Sequence, residues 1–170
     1  MKRSLNIWQT IGFVFTGVLG VVLHFLYEWT GENHFVAGFS AINESTWEHM
    51  KILFFPMFIF ALFESLFIGK TYKNFWCVKL TGILIGVLLI PVVFYTLQGV
   101  FGTTSDFINI SIFYVAAFVS YYIETYMMGK EFVDCTYSGI ALLFLWCVVL
   151  LFIVFTFDTP DFPVFQGPTV

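Results

Sequence analysis

Five apolar stretches, separated by short polar segments, make up most of this sequence. A helix that crosses the hydrocarbon core of a bilayer needs about 20 consecutive, mostly apolar residues, and each stretch is long enough. Charged residues form only 11% of the chain, against roughly a quarter in soluble domains. We therefore predict an all-α membrane protein, a bundle of five transmembrane helices in one domain, residues 1–170. The predicted spans are about 5–27, 47–69, 75–100, 107–128 and 137–157.

Most charged residues near the ends of these spans separate by sign between the two ends of the predicted bundle. The basic end carries Lys2, Arg3, Lys70, Lys73 and Lys130. The acidic end carries Glu28, Glu32, Glu44, Glu48, Asp106, Asp158 and Asp161. Because Lys and Arg are enriched in cytoplasmic loops, we expect a multi-pass protein of the cell membrane with its N-terminus in the cytoplasm and its C-terminus outside. Cys135 then lies on the reducing side, and no cysteine lies in a predicted outer loop.

Small residues recur at four-residue intervals in two of the spans. Gly12, Thr16 and Gly20 form one stripe, and Gly82 and Gly86 form a GxxxG pair. Such faces let a second helix backbone approach closely, so they predict either packing within the chain or association with a second copy or a partner subunit. The expected surroundings are the lipid bilayer, and no basic groove for nucleic acid is present.

The segment 43–51 is the densest run of polar side chains in the chain. Ser45 followed by Glu48 is a capping-box pattern that predicts the start of the second helix. Pro56 and Pro91 are expected to kink their helices at similar depth and to widen an outer vestibule beside this segment. The alternative is a set of ordinary interfacial residues favoured by the helix dipole and the aromatic belt. The candidate ligand-binding residues are Asn43, Glu44, Trp47, Glu48, His49 and Lys51.

A metal site is a second hypothesis for the same end of the bundle. His24 and Glu28 lie four residues apart and share a helix face, as do Glu44 and Glu48 if the second helix begins early enough. The two pairs are expected to converge at this end, and the predicted metal ligands are His24, Glu28, Glu48 and His49. Imidazole and carboxylate groups suit a divalent metal such as zinc, and a metal-activated water would make the protein a hydrolase of lipid or lipid-linked substrates. No HExxH motif and no cysteine pair with zinc spacing is present. Haem ligation by His24 and His49 is a further alternative.

Three ionisable residues fall inside the apolar spans, toward the basic end. They are Glu64, Lys79 and Glu124. Charged groups within a membrane are costly and commonly mark ion or proton pathways. We expect Lys79 to pair with one of the two acids, either as a proton or cation relay or as an ion pair that only holds helices together.

The run NESTWEHMKILFFP resembles an uncharacterised family of small bacterial integral membrane proteins in which an NESxWEHxK-like motif follows the first span. The resemblance covers most of the chain and implies a bacterial multi-spanning protein. It implies motif roles for the six candidate residues of segment 43–51 and supplies no activity. Two functions stay open: binding or transport of a small ligand or ion through an outer polar vestibule, and metal-dependent hydrolysis.

Overall fold

The computed structural model describes residues 2–102, 105–130 and 135–167, and these ranges contain helices and no strand. The long helices are α1 Lys2–Trp29, α3 Thr46–Glu64, α4 Phe75–Phe101, α5 Asp106–Met127 and α6 Ser138–Phe157. Shorter elements are α2 His34–Ala37, a π-helical turn Ser65–Gly69 that continues α3, and a 3-10 turn Pro163–Phe165. The all-helical prediction is confirmed. Five segments are long and apolar enough to cross a membrane, and they start and end within three residues of the predicted spans.

Four of the long helices form a closed ring. Helix α3 packs against α1 and α4, and α5 packs against α4 and returns to α1. Helix α6 lies outside this ring, against α4 and α3. Side chains on the inner faces of α1, α3, α4 and α5 can therefore meet along a common axis. Helix α3 is the most deeply buried of the five long helices.

Aromatic rings attach α6 to the outside of the ring. Phe152 packs against Phe54 at 5.2 Å between ring centroids and against Trp47 at 4.6 Å. Phe58 meets Trp146 edge to face at 5.1 Å. Offset and edge-to-face geometries are those that aromatic pairs favour, so a part of the unusual phenylalanine content serves this interface.

Both small-residue stripes pack within the chain. A Cβ added at Gly12 would meet the rings of Phe60 and Tyr121, and one added at Gly82 or Gly86 would overlap side chains of α5. Their role in helix packing is therefore intramolecular, and the predicted association with a second copy or a partner subunit would have to use other surfaces.

The outer face of α1 shows which surface meets lipid. Ile7, Ile11, Val14, Val18 and Val21 recur every three or four residues and are each at least 45% exposed. An apolar stripe of this length is uncommon on a soluble monomer. It is the expected lipid-facing surface of a multi-pass membrane protein.

The segment between α1 and α3 is more ordered than the predicted polar loop. Asn33 caps the short helix α2 by accepting hydrogen bonds from the Phe35 and Val36 amides. The amide of Ala41 then donates to the carbonyl of Leu23 at 3.1 Å. These contacts fold the segment back over the acidic end of α1.

A disulfide joins Cys77, in the first turn of α4, to Cys135, with their Cα atoms 5.9 Å apart. The bond ties the segment before α6 to the basic end of the ring. It was not foreseen from the sequence, which put Cys135 in a reducing compartment, where lasting disulfides are rare.

Candidate functional site

The start of α3 is fixed by side chains of the polar segment. The Asn43 Oδ1 atom accepts a hydrogen bond from the Ser45 amide at 2.8 Å, and Ser45 Oγ accepts one from the Glu48 amide at 3.3 Å. Ser45 is thus the N-cap, as predicted. The reciprocal half of the capping box is absent, because the Glu48 carboxylate accepts from the Ile42 amide instead.

Glu48 and Lys51 form an ion pair that holds three parts of the chain together. Their side chains are 2% and 0% exposed, and Lys51 Nζ lies 2.6 Å from Glu48 Oε2. The same ammonium group donates to the Ala37 carbonyl and to Thr156 Oγ1 of α6, both at 2.9 Å. These three acceptors match the three N–H donors of the ammonium group. Glu48 and Lys51 therefore stabilise the fold and do not face a vestibule.

Trp47 also points away from the predicted vestibule. Its ring packs between α6 and the tail, with centroids 4.6 Å from Phe152 and 4.7 Å from Phe165. Half of the six candidates of segment 43–51, namely Trp47, Glu48 and Lys51, therefore serve the interface with α6.

His24, Glu44 and His49 come together at the acidic end. His24 Nε2 lies 3.5 Å from Glu44 Oε1, and His49 Nε2 lies 3.7 Å from Glu44 Oε2. One donor atom from each residue falls within 4.8 Å of the other two, which makes this set a candidate metal site. Helix α1 supplies His24, the segment before α3 supplies Glu44, and the first turn of α3 supplies His49.

A local hydrogen bond fixes the orientation of the His49 ring. Its Nδ1 atom lies 2.9 Å from the Ser45 carbonyl oxygen. A carbonyl only accepts, so Nδ1 carries a proton, and in the neutral imidazole the lone pair is then on Nε2, the atom nearest Glu44. Metal-bound histidines almost always donate their second N–H to such an oxygen. The Nδ1 atom of His24 is buried and has no hydrogen-bond partner among the described residues.

The structure brings together the two histidines of the predicted ligand set His24, Glu28, Glu48 and His49, but not its two carboxylates. Glu28 is exposed near the end of α1, and Glu48 is held by Lys51. Glu44, which was expected at this end but not among the metal ligands, lies within 3.7 Å of both imidazoles. The haem alternative stays a prediction.

A cavity of about 180 Å³ adjoins His24 and His49. Its walls include Gly20, Ile52 and Phe113. Val21 and Ile110, which are 45% and 57% exposed, also line it, so it opens sideways between α1 and α5. Neither Pro56 nor Pro91 lines this cavity, and both lie inside continuous helices. The widening expected from these two prolines stays a prediction.

Asn109 is a member of the site that sequence reasoning missed. It lines the cavity and also a much smaller pocket beside Glu44 and His49. Its Oδ1 atom is buried, with no hydrogen-bond partner in the described part of the chain. A lone amide in an apolar span was the available signal, since uncompensated polar groups in a membrane are costly.

The three intramembrane charges meet near the basic end, together with Gln9. Lys79 Nζ lies 2.5 Å from Glu64 Oε2 and 2.5 Å from Glu124 Oε2. Gln9 Nε2 donates to Glu64 Oε1 at 3.1 Å. Each helix of the ring contributes one residue to this buried charge cluster, which consists of Gln9, Glu64, Lys79 and Glu124. Lys79 pairs with both acids, not with one as expected.

A smaller polar contact lies between the two sites. Thr16 Oγ1 and Tyr121 Oη are 2.8 Å apart and buried. Gln9 and Thr16 are seven residues apart and thus share the inward face of α1. This spacing within an apolar helix was the signal that Gln9 belongs to the bundle interior.

Comparison with known proteins identifies a family but no activity. A family described as a family of unknown function (DUF6512) matches residues 1–169. No curated protein and no solved structure matches the chain. The expectation of an uncharacterised family is confirmed, while the motif as a family feature and the bacterial origin stay predictions. Since the match extends over nearly the whole sequence, the chain belongs to this family of unknown function.

Proposed function

We propose that this protein is a multi-pass membrane protein that binds a divalent metal ion, with zinc as the best fit, at His24, Glu44 and His49. The observation that carries the proposal is the convergence of two imidazoles and one carboxylate within 4.8 Å at the mouth of a cavity. Two histidines with one glutamate form a ligand set that zinc enzymes also use.

A modest rearrangement would bring the three donors to bonding distance. Zinc holds nitrogen and oxygen ligands at about 2.0–2.2 Å, so two donors on one ion lie at most about 4.4 Å apart. Glu44 is the group free to move, because its side chain is 64% exposed whereas those of His24 and His49 are 24% and 16% exposed. Binding would draw the carboxylate inward over two imidazoles that are already placed.

The cavity supports a role for the ion in holding a second molecule. Three protein ligands leave a coordination position open on a tetrahedral ion. The adjoining space is mostly apolar and opens toward the lipid-facing surface, with Asn109 as an additional polar group. A small ligand with one coordinating oxygen or nitrogen and an apolar portion fits this combination.

Metal-dependent hydrolysis of a lipid-linked substrate remains the second candidate. The open coordination position favours it, since an ion held in this way can activate water. A carboxylate free to act as general base is missing from the described site, because Glu44 is a ligand and Glu48 is paired with Lys51. Binding is therefore the better-supported function.

Zinc binding tests the proposal directly. Purified wild-type protein is expected to bind one zinc ion per chain, and His24→Ala, Glu44→Ala and His49→Ala are each expected to weaken binding by at least tenfold. Isothermal titration calorimetry and metal analysis after gel filtration provide the measurement. At zinc concentrations of about 100 times Kd, the free energy of unfolding should rise by about 2.7 kcal/mol.

Glu28→Ala is the matched control, because Glu28 lies on the same helix as His24 but is exposed and outside the cluster. It should bind zinc as tightly as the wild type. Wild-type affinity in His49→Ala, or loss of binding in Glu28→Ala, would refute the assignment. Hydrolysis of a phospholipid or ester probe that requires both zinc and His49 would instead favour the second candidate.

We further propose that the basic end faces the cytoplasm, which makes the acidic-end site extracytoplasmic in a cell membrane. The charge distribution supports this orientation, because the exposed cations Lys70, Lys73 and Lys130 share one end while Lys51 at the other end is buried in its ion pair. In this orientation the Cys77–Cys135 bond faces a reducing compartment.

The redox state of Cys77 and Cys135 in cells is therefore a test of orientation. We expect both thiols to be reduced in cells quenched with acid, and joined in protein purified without reductant. Alkylation with a mass-shifting maleimide distinguishes the two states. In a cysteine-free variant, Glu32→Cys should react with an impermeant maleimide added outside and Lys73→Cys should not. An oxidised pair in cells, together with the opposite labelling pattern, would show that the basic end faces outward.

A further inference from the structure

The buried charge cluster at the basic end forms a second site, separate from the metal ligands and independent of the proposed metal function. We propose that it binds one exchangeable proton, carried by the carboxyl group of Glu124 and held next to the Glu64–Lys79 ion pair. The protein would thereby possess a proton-binding site within the membrane.

The buried charge cluster is shielded from solvent on all sides. Glu64 and Glu124 are 0% exposed and Lys79 is 1% exposed. Toward the basic end they are covered by an apolar group that includes Leu5, Phe75 and Met128. A charge in such surroundings loses most of its hydration, so each one needs an opposite charge or must be neutralised.

The acidic and basic side chains of the cluster do not balance in charge. Two carboxylates face one ammonium group, so full ionisation would leave one negative charge without a counter-ion. Gln9, the fourth member, is neutral. The other ionisable groups nearby are phenols, Tyr121 on α5 and Tyr72 on the turn before α4, and phenols are neutral at pH 7. No group among the described residues around the cluster supplies a second positive charge, so one proton restores neutrality.

The polar neighbours of the carboxyl oxygens decide which acid carries the proton. Glu64 accepts a hydrogen bond from Gln9 at Oε1, and its Oε2 atom lies 2.5 Å from the Lys79 ammonium group in an ion pair without hydrogen-bond geometry. Donors and cations around a carboxylate favour its ionised form. Glu124 accepts a hydrogen bond from Lys79 at Oε2, whereas its Oε1 atom is buried with neither a donor nor a cation beside it in the described residues. Glu64 is accordingly the ionised acid and Glu124 the protonated one, with the proton on Oε1.

The surroundings of Glu124 fit a neutral carboxyl group. Its Cγ packs directly on Gly82, where a Cβ would overlap it, and Tyr121 lies one turn away on the same helix. Deprotonation would release H⁺ to water with no electron transfer and would leave a net negative charge beside Lys79. The site therefore alternates between a neutral and an anionic state, which is the property a proton-coupled membrane protein needs.

Infrared spectroscopy of the protein in lipid nanodiscs tests the proposal. The C=O stretch of a protonated carboxylic acid is separate from carboxylate bands. Wild-type protein at neutral pH is expected to show the band of one buried acid, which shifts in D₂O. Glu124→Gln should remove this band, because the remaining Glu64–Lys79 pair is already neutral. The control Glu32→Gln, at an exposed position, should leave it unchanged.

Three results would overturn the proposal. The first is a wild type without the band, above all if its melting temperature rises in sodium or potassium, since a metal cation would then balance the charge. The second is a band that does not shift in D₂O, which would mean a locked structural proton. The third is a band that survives in Glu124→Gln. The first two readouts need only wild-type protein, so they hold even if the variant does not fold.

Discussion

Replacing Lys51 with Met is expected to lower the free energy of unfolding by about 3–5 kcal/mol, the cost of removing one partner from a buried ion pair. Lys51 contacts the Glu48 carboxylate, the Ala37 carbonyl and Thr156 Oγ1. Met fills a similar volume without a charge, so Glu48 would be left buried with only the Ile42 amide as donor. Unfolding in mixed detergent micelles, followed by circular dichroism, gives the measurement.

Two further variants separate charge imbalance from loss of packing. Lys73→Met removes an exposed lysine and should change stability by no more than about 0.5 kcal/mol. Combining Lys51→Met with Glu48→Gln removes both charges and should cost less than Lys51→Met alone, because no unpaired charge remains. If Lys51→Met were as stable as Lys73→Met, the pair would not hold α6 and the segment before α3 to the bundle.

The helix boundaries were predictable because bilayer thickness fixes how many consecutive apolar residues a spanning helix needs, and such a run can be read directly from the sequence. The third predicted span, 75–100, corresponds to Phe75–Phe101, and the N-cap at Ser45 follows from a four-residue pattern. Helix α2 was not predictable in this way. It has four residues and no apolar periodicity, and it depends on the Asn33 cap and on the return of the chain to Leu23.

The difference between the predicted ligand set and the cluster in the structure has a specific physical cause. Helical spacing places Glu28 near the face of His24, but one turn farther along α1, where it is exposed. Glu44 reaches His24 because the Ala41 amide binds the Leu23 carbonyl and the Asn43 side chain shapes the turn before Ser45. Such a path through a non-helical segment depends on tertiary hydrogen bonds that no residue spacing encodes.

The polar segment 43–51 combines two roles that its sequence does not separate. Glu48 and Lys51 are three residues apart and share the face of α3 that meets α6. His49, one position beyond Glu48, turns by about 100° toward α1. Substitutions at Glu48 or Lys51 should therefore affect stability, whereas substitutions at Glu44 or His49 should affect metal binding.

The two polar sites differ in how many helices of the ring contribute to them. At the acidic end, the exposed Glu44 carboxylate joins two imidazoles that two helices present, and the three form a candidate metal site. Near the basic end, four helices each contribute one residue with direct contacts already formed. The first arrangement is open to the outside, whereas the second holds the helices in position around the proposed proton site.

Replacing Lys79 with Met is the second change with a large expected effect, again about 3–5 kcal/mol of unfolding free energy. Lys79 is the only cation in contact with Glu64 and Glu124 among the described residues. Without it, both acids must be neutralised by protons, and the contacts between α4 and the helices that carry Glu64 and Glu124 lose their ionic component. Unfolding in mixed micelles at neutral pH measures the loss, with Lys70→Met, at an exposed position, as the matched control.

The two acids should then respond unequally to the same substitution. Glu124→Gln replaces a protonated carboxyl with a neutral group of the same shape and should cost less than about 1.5 kcal/mol, the net value of an ordinary hydrogen bond. Glu64→Gln removes the ionised partner of Lys79, although its amide oxygen can still accept from Gln9, so Glu124 would have to release its proton to keep Lys79 paired. Glu64→Gln should therefore destabilise the protein more than Glu124→Gln at low pH, where that release is opposed. If the two substitutions lowered the free energy of unfolding equally at all pH values, neither acid would be the preferred proton carrier. A difference between their costs that grows at low pH requires that one acid holds the proton more tightly than the other.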